Sequence, residues 1–187
     1  VLTLTPQGII SGKVEDEDGD PLAGVEVVVY RMGYQGGQRQ FLRSGNTNSS
    51  ADGSFMAGLL APGRYYLSAS DNRSVTMGAG AERPGTKAPQ NGYLTTYYPN
   101  VLDPSSATPI DIGTGTEVHG IELRLVKGRL FRIRGRLTGS EGFSGGMLLT
   151  PTYQGVAQPA PVQRDGWFTF QNVSPGDYTI RSNRGGP

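Results

Sequence analysis

DGSFMAGLLAPGRYYL (residues 52–67) and DGWFTFQNVSPGDYTI (residues 165–180) say one thing twice. Each has Asp-Gly-x-Phe, then Pro-Gly-x-Tyr, at identical internal spacing. Asp-Gly forms turns, because the carboxylate accepts nearby backbone N–H groups and glycine tolerates positive φ. Pro-Gly suits a type II turn. A tyrosine just past such a turn can bury its ring and bond a backbone carbonyl through its hydroxyl. These are folding devices, and the chain uses the set twice.

Working outward, the flanking segments alternate with period two. GVEVVVY puts Val25, Val27 and Val29 on one face, and RYYLSAS does the same with Tyr65, Leu67 and Ala69. GIELRLV alternates Ile121, Leu123 and Leu125 with Glu122 and Arg124, and LFRIRGRL sets Phe131, Ile133 and Leu137 against Arg132, Arg134 and Arg136. His119 shares the parity of Ile121 and Leu123. Alternation with one wet face, in short strands broken by Gly, Pro and Asp, argues antiparallel sheets packed as a sandwich.

The repeat extends to whole units. The first runs from IISGKV through DEDGDP to LAGVEVVVY, crosses a loop over 31–50, and passes through DGSF and PGRYYLSAS. It then continues through a Gly-rich loop (71–92), YYP (97–99), ATPIDI and HGIELRLV. The second runs from FRIRGRL through GMLLTPTY to DGWF and PGDYTIRS, about two strands short of its predecessor. VLTLT (1–5) leads into IISGKV as IELRLV leads into RLFRIRG, so Leu2 and Leu4 match Leu123 and Leu125. The expected organisation is a strand at 1–5 belonging to a preceding unit or donated elsewhere, a sandwich at 6–127, and an incomplete one at 128–187. The fold class is all-β, with tandem Greek-key sandwiches of about seven strands, the second lacking its last strands. The junction at 126–129 is too short for a flexible tether, which implies a stiff rod. Since the chain starts at Val1, it reads as an excised or processed piece of a longer array.

Composition agrees. The chain has 187 residues with 29 Gly, 13 Pro and no Cys. No segment carries a helical stripe, and no apolar run reaches the ~20 residues that cross a bilayer as a helix. Without cysteine there are neither disulfides nor thiolate metal sites. The net charge of +1 hides an asymmetry: residues 1–126 carry nine Lys/Arg against thirteen Asp/Glu, and residues 127–187 carry eight against three.

The pattern I-S-G-K-V…D-x-x-G-x-P-L-x-G-V-x-V, then D-G-x-F, then P-G-x-Y resembles carboxypeptidase regulatory-like domains. These are also described as transthyretin-like or prealbumin-like, and they are related to the B-type repeats of collagen adhesins. The matching positions are Gly12, Asp16, Gly19, Pro21, Leu22, Gly24, Val25, Val27, Asp52, Gly53, Phe55, Pro62, Gly63 and Tyr65. In the second unit they are Gly135, Asp165, Gly166, Phe168, Pro175, Gly176 and Tyr178. The resemblance implies a seven-stranded Greek-key sandwich serving as a non-catalytic accessory in secreted and envelope proteins. Related adhesin repeats carry Lys–Asn cross-links between first and last strands. Lys13 lies on the first strand here, but 118–126 contains no Asn or Asp, so no such link is expected.

The residues offer several candidate sites. Asp16, Asp18 and Asp20 lie in EDEDGD, which reads as an acidic hairpin turn or as part of a calcium site, calcium taking six to eight oxygens. No other cofactor is implied. The only histidine, His119, could serve a Ser–His–Asp arrangement only with a serine and an acid in reach, and it reads as structural. Arg132, Arg134 and Arg136 form a ladder that attracts anionic polymers. Nucleic acid would want stacking aromatics on the same face, and none is evident, so no nucleic-acid partner is expected. Trp167 has the parity opposite to Phe168, pointing outward as a binding spot or an inter-unit contact. With Tyr97 and Tyr98 it could form a sugar-stacking platform, although Tyr97-Tyr98-Pro99 also reads as an anchor for the long loop.

The expected function is a non-catalytic structural or interaction module of a secreted or cell-surface protein. Its partners are copies of itself or neighbouring domains, with Val1, Leu2, Thr3, Leu4 and Thr5 as a donor strand that completes the second unit of another copy and builds filaments. The alternative is a polysaccharide-binding accessory of a larger extracellular enzyme or receptor.

Overall fold

The computed structural model describes residues 6–35, 38–71, 90–139, 145–151 and 157–184, so Val1–Thr5 lie outside the described residues. The strands in chain order are β1 (Gly8–Asp16), β2 (Glu26–Gln35), β3 (Gln38–Asn48), β4 (Ser54–Leu60), β5 (Gly63–Ser70), β6 (Gln90–Tyr93), β7 (Thr96–Tyr97), β8 (Ile110–Ile112), β9 (Glu117–Leu125), β10 (Lys127–Arg136), β11 (Gly145–Pro151), β12 (Gln158–Pro161), β13 (Trp167–Val173) and β14 (Tyr178–Arg184). Among the described residues there is no α-helix, only a 3-10 turn at Pro104–Ser106. The architecture is all-β.

In the first unit, the sheet β4-β1-β9 packs on the sheet β3-β2-β5-β7, with β8 paired to β5. The core between them takes one side of each alternating pattern: Ile10, Val14, Val27, Leu67, Leu123 and Leu125 have no exposed surface. β9 closes the unit by running parallel to β1, Gly12 opposite Ile121 and Val14 opposite Leu123.

Two expectations are corrected here. The 31–50 segment is a hairpin rather than a loop, β2 and β3 pairing from Glu26↔Asn48 to Gln35↔Gln38. Its polar sequence masks the alternation, because much of its surface is solvated and the apolar side is carried by a few residues such as Phe41. Nor is the outer face of the β2–β5 sheet wet. Val28, Tyr30, Phe41, Tyr66 and Tyr97 bury one another there in a second cluster, with the Phe41 and Tyr66 rings 4.5 Å apart.

The second unit repeats the first in register. Gly12↔Phe55 and Ile10↔Ala57 on β1–β4 become Gly135↔Phe168 and Ile133↔Phe170 on β10–β13. The Asp-Gly turns match, with Gly53 at φ 76° and Gly166 at φ 83°. Val14 N–H donates to Gly53 O at 2.8 Å, as Leu137 N–H does to Gly166 O at 2.8 Å. Both pairings slip by a residue at the same place, where Leu59 (φ 61°) and Asn172 (φ 54°) turn left-handed. Both tyrosine corners form, Tyr65 Oη donating to Ala61 O at 2.6 Å and Tyr178 Oη to Ser174 O at 2.9 Å. Neither Pro-Gly pair takes the type II geometry expected from the sequence: Gly63 lacks a positive φ and Gly176 lies at φ 155°, against about +80° for that turn.

Burial does not repeat. Ile10 is fully buried and its counterpart Ile133 is half-buried. Val14 is fully buried, whereas Leu137 is half-buried. On the opposite sheet Leu67 has no exposed surface and its counterpart Ile180 is 40% exposed. Ile10 and Val14 lie beside β9, and Leu67 lies beside the Tyr97–Tyr98 segment, Tyr98 N–H donating to Leu67 O at 3.1 Å. Among the described residues, no strand lies parallel to β10 and none pairs with the outer edge of β14, the smaller sheet reading β12-β11-β14.

The joint between units is built as a sheet. Only Val126 separates β9 from β10, and β6, in a stretch expected from its sequence to be loop, pairs with β10 from Lys127↔Tyr93 to Leu130↔Gln90. Leu94 N–H donates to Val126 O at 2.9 Å. The joint is thus held by backbone pairing on β10.

Candidate functional site

The face of the second unit that points away from its core gathers several of the candidate residues. β10 is regular, so Arg132, Arg134 and Arg136 stand on one side of it, roughly 7 Å apart at the rise of a strand. The β13 register sets Trp167 opposite Arg136, with Thr169 opposite Arg134. The Arg134 guanidinium carbon lies 4.0 Å from the Trp167 ring centroid and that of Arg136 lies 6.0 Å away. Arg136 Nε also donates to Asp165 O at 3.1 Å, which ties it to the Asp-Gly turn. Among the described residues, neither Arg134 nor Arg136 pairs with a carboxylate. Along the strand no aromatic is evident on the arginine face, but the cross-strand register places Trp167 there. A signal for it exists: β1–β4 pairing, transferred through the repeat, predicts the contact.

Tyr97 and Tyr98 do not join this platform. Tyr97 is 6% exposed, inside the aromatic cluster of the first unit, and burial pushes its phenol up from its ordinary range. Tyr98 packs partly buried against the main core. The pair anchors its segment, as β7 pairing with β5 requires. A cleft of ≈ 710 Å³ opens between the units, lined among others by Val28, Tyr30, Tyr97, Pro151, Val173 and Tyr178.

Asp16, Asp18 and Asp20 form a closed turn. Asp16 Oδ1 accepts from the backbone N–H groups of Asp18 and Asp20, both at 3.0 Å, and its other oxygen accepts from Tyr93 Oη at 3.3 Å. Lys127 Nζ lies 3.8 Å from Asp16 and 3.7 Å from Glu17. Among the described residues, no group of three or more His, Cys, Asp and Glu side chains is arranged to hold a metal ion. This turn links β1 to the inter-unit joint. Burial pushes the Asp16 carboxyl up, but the two backbone N–H groups, Tyr93 and Lys127 outweigh it and hold the group below its ordinary value of 3.8. A depressed carboxylate contributes stability that is present above the unfolded value and lost as pH falls through the folded one. The melting temperature of Asp16→Asn should therefore fall below that of the parent at neutral pH, and the gap should close as pH drops below about 4. A gap constant from neutral to strongly acidic pH contradicts this.

His119 does not point inward. β1 and β9 slip register between Ile10 and Gly12, and Gly120 there has φ 75°, which inverts the parity expected from Ile121. The imidazole is exposed, with Nδ1 2.7 Å from Ser11 Oγ and Nε2 3.2 Å from Glu117 Oε2. Those residue types match a hydrolytic triad, but the His and Glu side chains are 65% and 57% exposed. Triad chemistry draws its strength from oxyanion donors in a site that excludes water.

The fold and the turn chemistry define an all-β chain of sandwich type. Residues 9–80 match the family model of the carboxypeptidase regulatory-like domain. A search of curated proteins finds no match. Among solved structures, the chain is similar to the Bacillus anthracis TIE protein, at 18% identity over 96% of this chain and 28% of that one, with a TM-score of 0.35. It is also similar to a streptococcal ancillary pilin (14% identity, 96% of this chain, 54% of that one, TM-score 0.37). The shaft pilin spaA of Lactobacillus rhamnosus GG gives 10% identity over 97% of this chain and 88% of that one, with a TM-score of 0.35. The chain thus spans 28% and 54% of the first two proteins. Similarity at this level does not bear on function.

Proposed function

We propose that the chain is a non-catalytic structural module of a secreted or cell-surface protein, made of sandwich units joined end to end, whose second unit accepts a β-strand alongside β10. One observation carries this reading: two units repeat to the residue in register, yet the second leaves half-open the core positions that lie beside β9 and the Tyr97–Tyr98 segment in the first. Unpaired sheet edges and uncovered apolar residues favour strand addition. The occupant is the Val1–Thr5 segment of another copy, because Leu2 and Leu4 reproduce the spacing of Leu123 and Leu125. Head-to-tail addition of this kind does not close on itself and builds filaments.

The energetics are modest. Two buried leucines contribute about 3–6 kcal/mol and each new backbone hydrogen bond about 0.5–1.5 kcal/mol, against an association cost of about 4–15 kcal/mol. Assembly is therefore weak and concentration-dependent. Sedimentation and negative-stain microscopy at roughly 100 μM chain (a dissociation constant of 1 μM corresponds to about −8 kcal/mol) should show linear oligomers that Leu2→Lys with Leu4→Lys abolishes. Monodisperse particles, unchanged by deleting residues 1–5, sink the proposal. Oligomers that persist in the Leu2→Lys, Leu4→Lys chain leave the acceptor edge standing and reject this occupant.

A further inference from the structure

The repeat supplies an internal control for the surface chemistry. The local folding devices recur in both units: the Asp-Gly turns, the left-handed slip, the tyrosine corners and the inward Phe55 and Phe168. The outward face does not recur. Where the second unit has Arg134, Arg136 and Trp167, the same register positions of the first hold Ser11, Lys13 and Ser54. The arginine–tryptophan set is thus not needed to make a sandwich, since an equivalent sheet forms without it. We propose that this outward face of β10 and β13 is a binding site for a linear acidic polysaccharide, its uronate carboxylates docking on Arg132, Arg134 and Arg136.

Three features fit that occupant. Arginine presents a planar fork of donors that matches a carboxylate with two parallel hydrogen bonds, and the positions on β10 repeat in a straight line along the strand. Arg134 stacked on Trp167 and Arg136 tied to Asp165 O are partly ordered before any ligand arrives, which lowers the entropy lost on binding. The charge is also local: the second unit's surplus of basic residues is concentrated on β10, and among the described residues Arg134 and Arg136 meet no competing carboxylate. A nucleic acid fits less well. Single-strand binders stack successive bases on successive aromatics, whereas this face has one indole, and Arg134 already lies over its ring. The site is on the sheet's face and strand addition is at its edge, so the two proposals stand or fall separately.

Binding of polygalacturonate to the full chain, followed by titration calorimetry at about 50 mM salt and compared with fully methyl-esterified polygalacturonate, tests the site. The expected result is binding to the free-acid polymer only. Arg134→Gln should weaken it by roughly tenfold, Trp167→Phe should weaken it less, and Arg181→Gln, which removes the same charge from the other sheet, should leave it unchanged. Circular dichroism of each variant checks that the sheets are intact. No binding to the free acid overturns the proposal. So does equal binding to the ester or to oligo-dT, or equal weakening by Arg134→Gln and Arg181→Gln.

Discussion

Replacing Gly12 with valine should unfold the first sandwich while leaving the second folded. A Cβ at this position would lie 1.8 Å from Ile121 O and 2.6 Å from Ile121 C, both backbone atoms of β9. Backbone held in a ladder cannot rotate away as a side chain can, so β9 must leave its place beside β1. With it go Ile121, Leu123 and Leu125, all within the main core. Overpacking in a core ordinarily costs about 1–3 kcal/mol. Here the loss should exceed the ~4–5 kcal/mol that marks exceptional substitutions. The chain offers a clean readout, because its only tryptophan is in the second unit. Far-ultraviolet circular dichroism should lose most of its β signal, while Trp167 fluorescence keeps its cooperative transition. An unchanged dichroism spectrum contradicts the packing described. The counterpart Gly135→Ala should be milder, since the three atoms nearest its added Cβ are side-chain atoms of the Phe168 ring, the first at 2.3 Å, and not backbone.

Phe170→Ala should do the reverse. Phe170 is 1% exposed in the smaller core with Met147, Leu149, Ala160, Phe168 and Val173, its ring 5.7 Å from that of Phe168 in an edge-on contact. Truncating a buried phenylalanine costs about 3–5 kcal/mol. A unit with an unclosed core has little in reserve, so this loss should unfold it at room temperature. Trp167 emission should shift to the red without a transition on heating, and most of the dichroism should remain. A native-like Trp167 melt within a few degrees of the parent contradicts the packing of the smaller core.

The paired turns and their tyrosines made the fold legible, because these residue types are tied to backbone geometry that few others adopt. Period-two alternation located β2, β5, β9 and β10, where one face is apolar. It failed at β3, whose side chains are largely polar, and at β6, four residues whose strand state is imposed by the Lys127–Leu130 partner. The left-handed positions at Leu59 and Asn172 were hidden too. Asparagine tolerates that conformation, but an exposed leucine gives no sign of it. One such slip, at Gly120, was enough to turn His119 outward. The arginine ladder could be read along the strand, whereas its meeting with Trp167 is a cross-strand fact that needs register.

Strand addition makes a residue-level prediction if the second unit takes a strand from another copy in the place β9 occupies in the first. In the first unit Glu15 and Arg124 are direct partners across β1 and β9, with side chains 3.9 Å apart on the outward face. The corresponding residues for the proposed contact are Thr138 and Thr3 of the next chain. Since the chain has no cysteine, Thr3→Cys combined with Thr138→Cys can form only engineered disulfides, and these need Cα atoms within about 4.4–6.8 Å. Mild oxidation at high chain concentration, followed by a non-reducing gel, should give a ladder of dimers, trimers and longer species that collapses with reductant. Thr3→Cys combined with Thr169→Cys, away from the edge, should give no ladder. Monomer alone from the first pair, or equal ladders from both, contradicts strand addition at β10.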